Sequence, residues 1–70
     1  MPNPQEASID GYGIRLWEPI AGSTSWRVEA ADKLWHRYAE SFGRSPTEAL
    51  IALSKKTEID HQELLRTFGL

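Results

Sequence analysis

The stretch Asp32-Lys33-Leu34-Trp35-His36-Arg37-Tyr38-Ala39-Glu40-Ser41-Phe42-Gly43-Arg44-Ser45-Pro46-Thr47-Glu48-Ala49-Leu50-Ile51-Ala52-Leu53 decides how the rest of the chain is arranged. Ala31, Leu34, Trp35, Tyr38 and Phe42 fall at i, i+3, i+4, i+7 and i+11, with Ala39 beside them, and that spacing predicts a core-facing helix. Lys33, His36, Arg37, Glu40 and Ser41 take its other side. Gly43 stands where a left-handed residue closes a helix, a region that only glycine enters without steric cost. Ser45-Pro46-Thr47-Glu48 then opens a second helix. The serine hydroxyl can accept from the N3 amide, proline occupies N1 where no donor is needed, and Glu48 can reach back to the cap. Ala49, Leu50 and Leu53 form the buried stripe of that helix, with Ile51 at its flank.

Downstream, Ser54 to Glu58 is entirely polar, and Asp60-His61-Gln62-Glu63 repeats the capping pattern, with Ile59 able to staple onto Leu64. A third helix is expected from about Asp60 to Thr67, the rival being one bent helix from Pro46 to Phe68. Upstream, Tyr12, Ile14 and Leu16 alternate with Gly13, Arg15 and Trp17, which reads as a strand ending near Glu18 before Pro19. A turn over residues 19 to 23 leads to a second alternating run, Thr24 to Ala30, with Trp26, Val28 and Ala30 on one side and Ser25, Arg27 and Glu29 on the other. Residues 1 to 10 carry Pro2 and Pro4 and no period, so they read as a mobile leader. The fold expected is α+β: a mobile leader over 1–10, then one domain over 11–70 built as an N-terminal β-hairpin followed by two or three short α-helices.

Seventy residues bury only about 60% of the surface of the unfolded chain, so the stability margin is thin and a second copy or a partner would help. The chain has no cysteine, which excludes disulfides and thiolate metal sites. No run approaches the roughly 18 apolar residues of a membrane span, and the first residues lack the basic start and apolar middle of a signal peptide. A soluble cytoplasmic protein is the default. The formal charge is −2, which argues against a protein that coats itself in nucleic acid or anionic lipid. The charge is uneven. Arg15 and Arg27 face Glu6, Asp10, Glu18, Glu29 and Asp32 in the first 32 residues, whereas Lys33, Arg37, Arg44, Lys55, Lys56 and Arg66 outnumber Glu40, Glu48, Glu58, Asp60 and Glu63 by one in the remainder.

Catalysis needs titratable groups that converge with a nucleophile or a metal, and few candidates exist. His36 and His61 are the only imidazoles, lie on different predicted helices without metal-ligand spacing, and read as solvated helix-face residues. Ala21-Gly22-Ser23-Thr24-Ser25 lacks both the elbow of a serine hydrolase and the ending of a phosphate loop, and reads as a turn. Asp60 and Glu63 are explained by capping. No enzyme activity, cofactor or metal is expected. Among the tryptophans, Trp35 and Trp26 have core positions, while Trp17 shares a face with Gly13 and Arg15 opposite Ile14 and Leu16. Trp17 and Arg15 are therefore candidates for a partner-binding surface, unless a twisted hairpin packs Trp17 on the leader or the tail.

Taken together, Trp26-Arg27-Val28-Glu29, the helix ending Tyr38-Ala39-Glu40-Ser41-Phe42-Gly43, and Arg44-Ser45-Pro46-Thr47-Glu48-Ala49-Leu50 resemble the ribbon-helix-helix DNA-binding family over roughly Ser25 to Lys55. The resemblance implies a homodimer whose strand pairs with its twofold mate and enters the major groove, so that Ser25, Arg27 and Glu29 face the bases. Arg27 would contact guanine, and the amides of Thr47 and Glu48 with the charge of Arg44 would lie near a phosphate. The expectation is a small regulatory protein, a dimeric DNA-binding transcriptional regulator. The alternatives are a helix-turn-helix formed by the two last helices, and a small protein-binding module such as an inhibitor, antitoxin or assembly factor that uses Trp17 and the hairpin.

Overall fold

The computed structural model describes residues 4–32 and 37–70. Four strands come first, β1 (Gln5–Ile9), β2 (Tyr12–Trp17), β3 (Trp26–Asp32) and β4 (Tyr38–Gly43), followed by α1 (Pro46–Lys56) and α2 (His61–Thr67). The strands form one antiparallel sheet in the order β1-β2-β3-β4, each paired with the one before it. The α+β class stands, but the β part is a four-stranded sheet and not a hairpin.

Two strands overturn the expectation. Gln5–Ile9 is a strand and not a mobile leader, because Asp10 and Gly11, at φ 51° and 83°, make the two-residue turn that folds it back on β2. Both left-handed values are what a type I′ hairpin requires, and Asp-Gly supplies them at low cost. Tyr38–Gly43 is likewise a strand and not the end of a helix. Tyr38 and Phe42, four apart, share a face in either structure, so helical spacing and strand alternation agree on them. The expected positions of Lys33, Leu34, Trp35 and His36 lie outside the described residues.

The inner face of the sheet carries Ile9, Ile14, Leu16, Val28 and Ala30, all buried, with Tyr12, Trp26 and Ala39 packed at its margin. Both helices and the segment between them cover this face, through Ala49, Leu50 and Leu53 of α1, Ile59 of the connection and Leu64 of α2. On β4 the inward positions hold Ala39, Ser41 and Gly43, so large side chains are absent where α1 comes down. A Cβ on Gly43 would lie 2.5 Å from the Ala49 nitrogen and 2.8 Å from the Glu48 carbonyl carbon. Gly43 is therefore fixed by that close approach. Its φ is not among the left-handed values, so its expected role as a helix cap is corrected.

The second helix begins where expected. Ser45 Oγ accepts from the Glu48 amide, and the Glu48 carboxylate accepts from the amide of Arg44, one residue before the cap itself. α1 ends at Thr57, whose hydroxyl and amide both donate to Leu53 O. Asp60 caps a separate α2 by accepting from Gln62, which decides against one bent helix. Leu50, Leu53 and Leu64 are fully buried. Each contributes about 1.5–3 kcal/mol against about 1 kcal/mol for a cap, so packing holds the helices and the caps set their ends.

Candidate functional site

Both helices lie on one side of the sheet, and the pairing registers order the other side into three rows across the strands. The first row reads Trp17–Arg27–Phe42, the second Glu6–Arg15–Glu29–Glu40, and the third Ser8–Gly13–Ala31–Tyr38. Alternation along each strand puts these residues on the face away from the core. The large apolar groups of β4 are consequently turned outward: Tyr38 is 50% and Phe42 55% exposed.

A polar cluster ties the three rows together. Arg27 donates from Nε to Glu40 Oε2 at 3.1 Å and from Nη2 to Glu29 Oε2 at 3.2 Å. The Tyr38 hydroxyl donates to Glu29 Oε2 at 2.9 Å and stands 3.3 Å from Glu40 Oε2. Trp17 Nε1 donates to Glu29 Oε1 at 3.4 Å. Glu29 and Glu40 are directly opposed across β3 and β4, where like charges repel. Arg27 between them relieves that repulsion. The Tyr38 phenol is held above its ordinary pKa, chiefly because its hydroxyl is bonded to the Glu29 carboxylate, whose charge disfavours a second negative group. Arg27 is shifted further upward, first by its bond to Tyr38; burial opposes the rise, and Glu40 and Glu29 add to it.

Towards β1 the face becomes an open trough of about 470 Å³, with Ser8, Gly13 and Ala31 beside Glu6, Arg15 and Glu29. Arg15 Nε lies 3.1 Å from Glu6 Oε1 in an exposed pair. The face holds three carboxylates and two guanidiniums, and the surplus negative charge sits at Glu29 and Glu40.

The residues expected to meet a ligand divide into two groups. Trp17, Arg15, Arg27 and Glu29 are brought together on the open face, as register partners Trp17↔Arg27 and Arg15↔Glu29. Trp17 is half-buried there, its indole bonded to Glu29. Ser25 lies outside the strand in the β2–β3 loop, where its amide donates to Ser23 Oγ. Arg44 is exposed at the β4–α1 junction and Thr47 is half-buried in the first turn of α1. β3 is paired on both sides within the chain, by β2 and by β4, which leaves it no edge for a twofold mate. Tyr38, Glu40 and Phe42 are members of the site that hydrophobic spacing misses; their alternation with Ala39, Ser41 and Gly43 is the signal that carries them.

His61 is exposed at the start of α2, 3.6 Å from Asp60. Among the described residues no group of three His, Cys, Asp or Glu is placed to hold a metal ion, and no helix is long and apolar enough to cross a membrane. No protein-family model, curated protein or solved structure matches the chain.

Proposed function

We propose that this is a small protein-binding module that docks another protein against the open face of its sheet. The observation that carries the reading is the strip Tyr38–Glu40–Phe42 along β4, two half-exposed rings on either side of a carboxylate on a face that neither helix covers. Exposed aromatic groups beside an arginine are the composition of interface anchors. The partner chemistry follows from the charge. With one carboxylate in surplus on the face and −2 on the chain, the strip suits a lysine or arginine of the partner, paired to Glu40 and lying against the rings. DNA contact is less well supported, because the guanidinium of Arg27 is already committed to Glu29 and Glu40.

A photoreactive residue at position 42, in the cells that make the protein, tests this against the same residue at position 55 on α1. The expected result is one defined polypeptide joined at 42, through a lysine- or arginine-bearing segment mapped by mass spectrometry, and lost in Glu40→Lys. Adducts at 55 alone, or nucleic acid joined at 42, would refute the reading.

A further inference from the structure

The two borders of the sheet are finished differently. On β4, Lys56 Nζ reaches over from α1 and donates to Glu40 O at 2.7 Å, closing the middle of that edge. β1 has no such guard, since among the described residues no side chain bonds to its backbone. Ile9 and Tyr12 flank a two-residue turn and so form the closing hydrogen-bonded pair; the bonding then alternates to Ala7↔Ile14 and Gln5↔Leu16. The amides and carbonyls of Glu6 and Ser8 consequently point outward from the sheet. An edge of this kind is a template for another strand.

The sequence of β1 suits one particular strand, its own. When two copies run antiparallel with Ala7 opposite Ala7, Glu6 of each stands opposite Ser8 of the other. Both outward-pointing residues are then used, and each Glu6–Ser8 pair exchanges two backbone bonds. The serine hydroxyl can also donate to the facing carboxylate. Shifting the register by two in one direction sets Glu6 against Glu6, with like charges opposed; shifting it in the other sets Ser8 against Ser8 and Glu6 against Asp10. Pro4, with no amide hydrogen, ends the pairing on one side and the Asp10-Gly11 turn ends it on the other. We infer that β1 is a self-pairing edge through which two copies of the chain join into one continuous eight-stranded antiparallel sheet. The twofold axis stands perpendicular to the sheet, so both open faces lie on the same side. The inference rests on the free edge and does not depend on what the open face binds.

Sedimentation equilibrium of the full chain tests it. Association through so short an edge should be weak, with the transition between about 10 µM and about 1 mM. The average mass should rise across that range from the 7.9 kDa of the chain towards twice that value. Ser8→Pro removes an outward amide together with the hydroxyl and should hold the mass at 7.9 kDa with unchanged circular dichroism. Ser8→Glu opposes Glu6 with a second carboxylate at both pairs and should weaken association about threefold or more, even if the proline variant fails to fold. Phe42→Ser on the open face should leave the association constant unchanged. A wild-type chain still monomeric at about 1 mM, or a dimer indifferent to both changes at Ser8, overturns the inference.

Discussion

Replacing Gly43 by alanine puts the close approach of α1 to β4 to a quantitative test. The new Cβ would stand 2.5 Å from Ala49 N and 2.8 Å from both the Glu48 carbonyl carbon and Cβ. Ordinary contact begins near 3.4 Å, so the first turn of α1 must retreat by about 0.9 Å from β4. These are backbone and near-backbone atoms, with no flexible side chain to swing aside. Ala49, Leu50 and Leu53, all fully buried on the same turns, must move with them. Overpacking of this kind costs about 1–3 kcal/mol, and the upper half applies where backbone meets Cβ. A domain of this size holds only about 3.5–10 kcal/mol in all. At about 4–8 °C per kcal/mol, a loss of 2–3 kcal/mol lowers the melting temperature by about 8–24 °C. Urea denaturation followed by tryptophan fluorescence measures it, with Gly11→Ala as the control. Gly11 has a left-handed φ of 83° and nothing within 4 Å of an added Cβ, so its cost is the conformational strain alone, about 1–2 kcal/mol. Gly43→Asn adds a second arm. Asparagine is tolerated at a left-handed helix cap but not at a close approach, so it should cost at least as much as alanine. A Gly43→Ala loss under about 0.5 kcal/mol, or an asparagine variant as stable as wild type, would refute the reasoning.

Two further outcomes follow from polar groups in unusual settings. Ser41 is 2% exposed and its hydroxyl has no hydrogen-bond partner among the described residues, so Ser41→Ala should raise stability by about 1 kcal/mol in the same urea series; a loss of that size would mean the hydroxyl is satisfied. Tyr38 has its folded pKa raised above 10.0, chiefly by Glu29, so the stability it contributes is complete below pH 10 and is lost as the pH climbs through the folded value. Ultraviolet titration should show Tyr38 ionising above pH 10, and Tyr38→Phe should remove that component.

Legibility in the sequence follows the direction in which large side chains point. β2 and β3 are readable because Ile14, Leu16, Val28 and Ala30 face the core and polar groups face away. The start of α1 is readable because a serine, a proline and a glutamate satisfy amides by local chemistry alone. β4 inverts the rule. Its rings face solvent and its small residues face α1, so hydrophobic spacing places Tyr38 and Phe42 inside a helix. β1 is lost for a different reason: Gln5, Glu6, Ala7 and Ser8 have little strand propensity, and only Asp10-Gly11 announces it. Half of the candidate site vanishes with β4. Arg27, Glu29, Arg15 and Trp17 can be placed on a common face from alternation, but the partners that pin Arg27 and Glu29 cannot.

The order of elements has a consequence for the chain as it is made. The sheet is built from consecutive strands that all precede the helices, and a two-residue hairpin such as β1–β2 closes in about 1–10 µs. The helices that cover Ile9, Ile14, Leu16 and Val28 come afterwards, in residues 46–67. A sheet that closes before those helices dock stands with its apolar side uncovered, and exposed apolar surface of this kind is prone to aggregation. During that interval the burden of keeping the half-built protein from sticking to its neighbours falls on chaperones or on the ribosome itself.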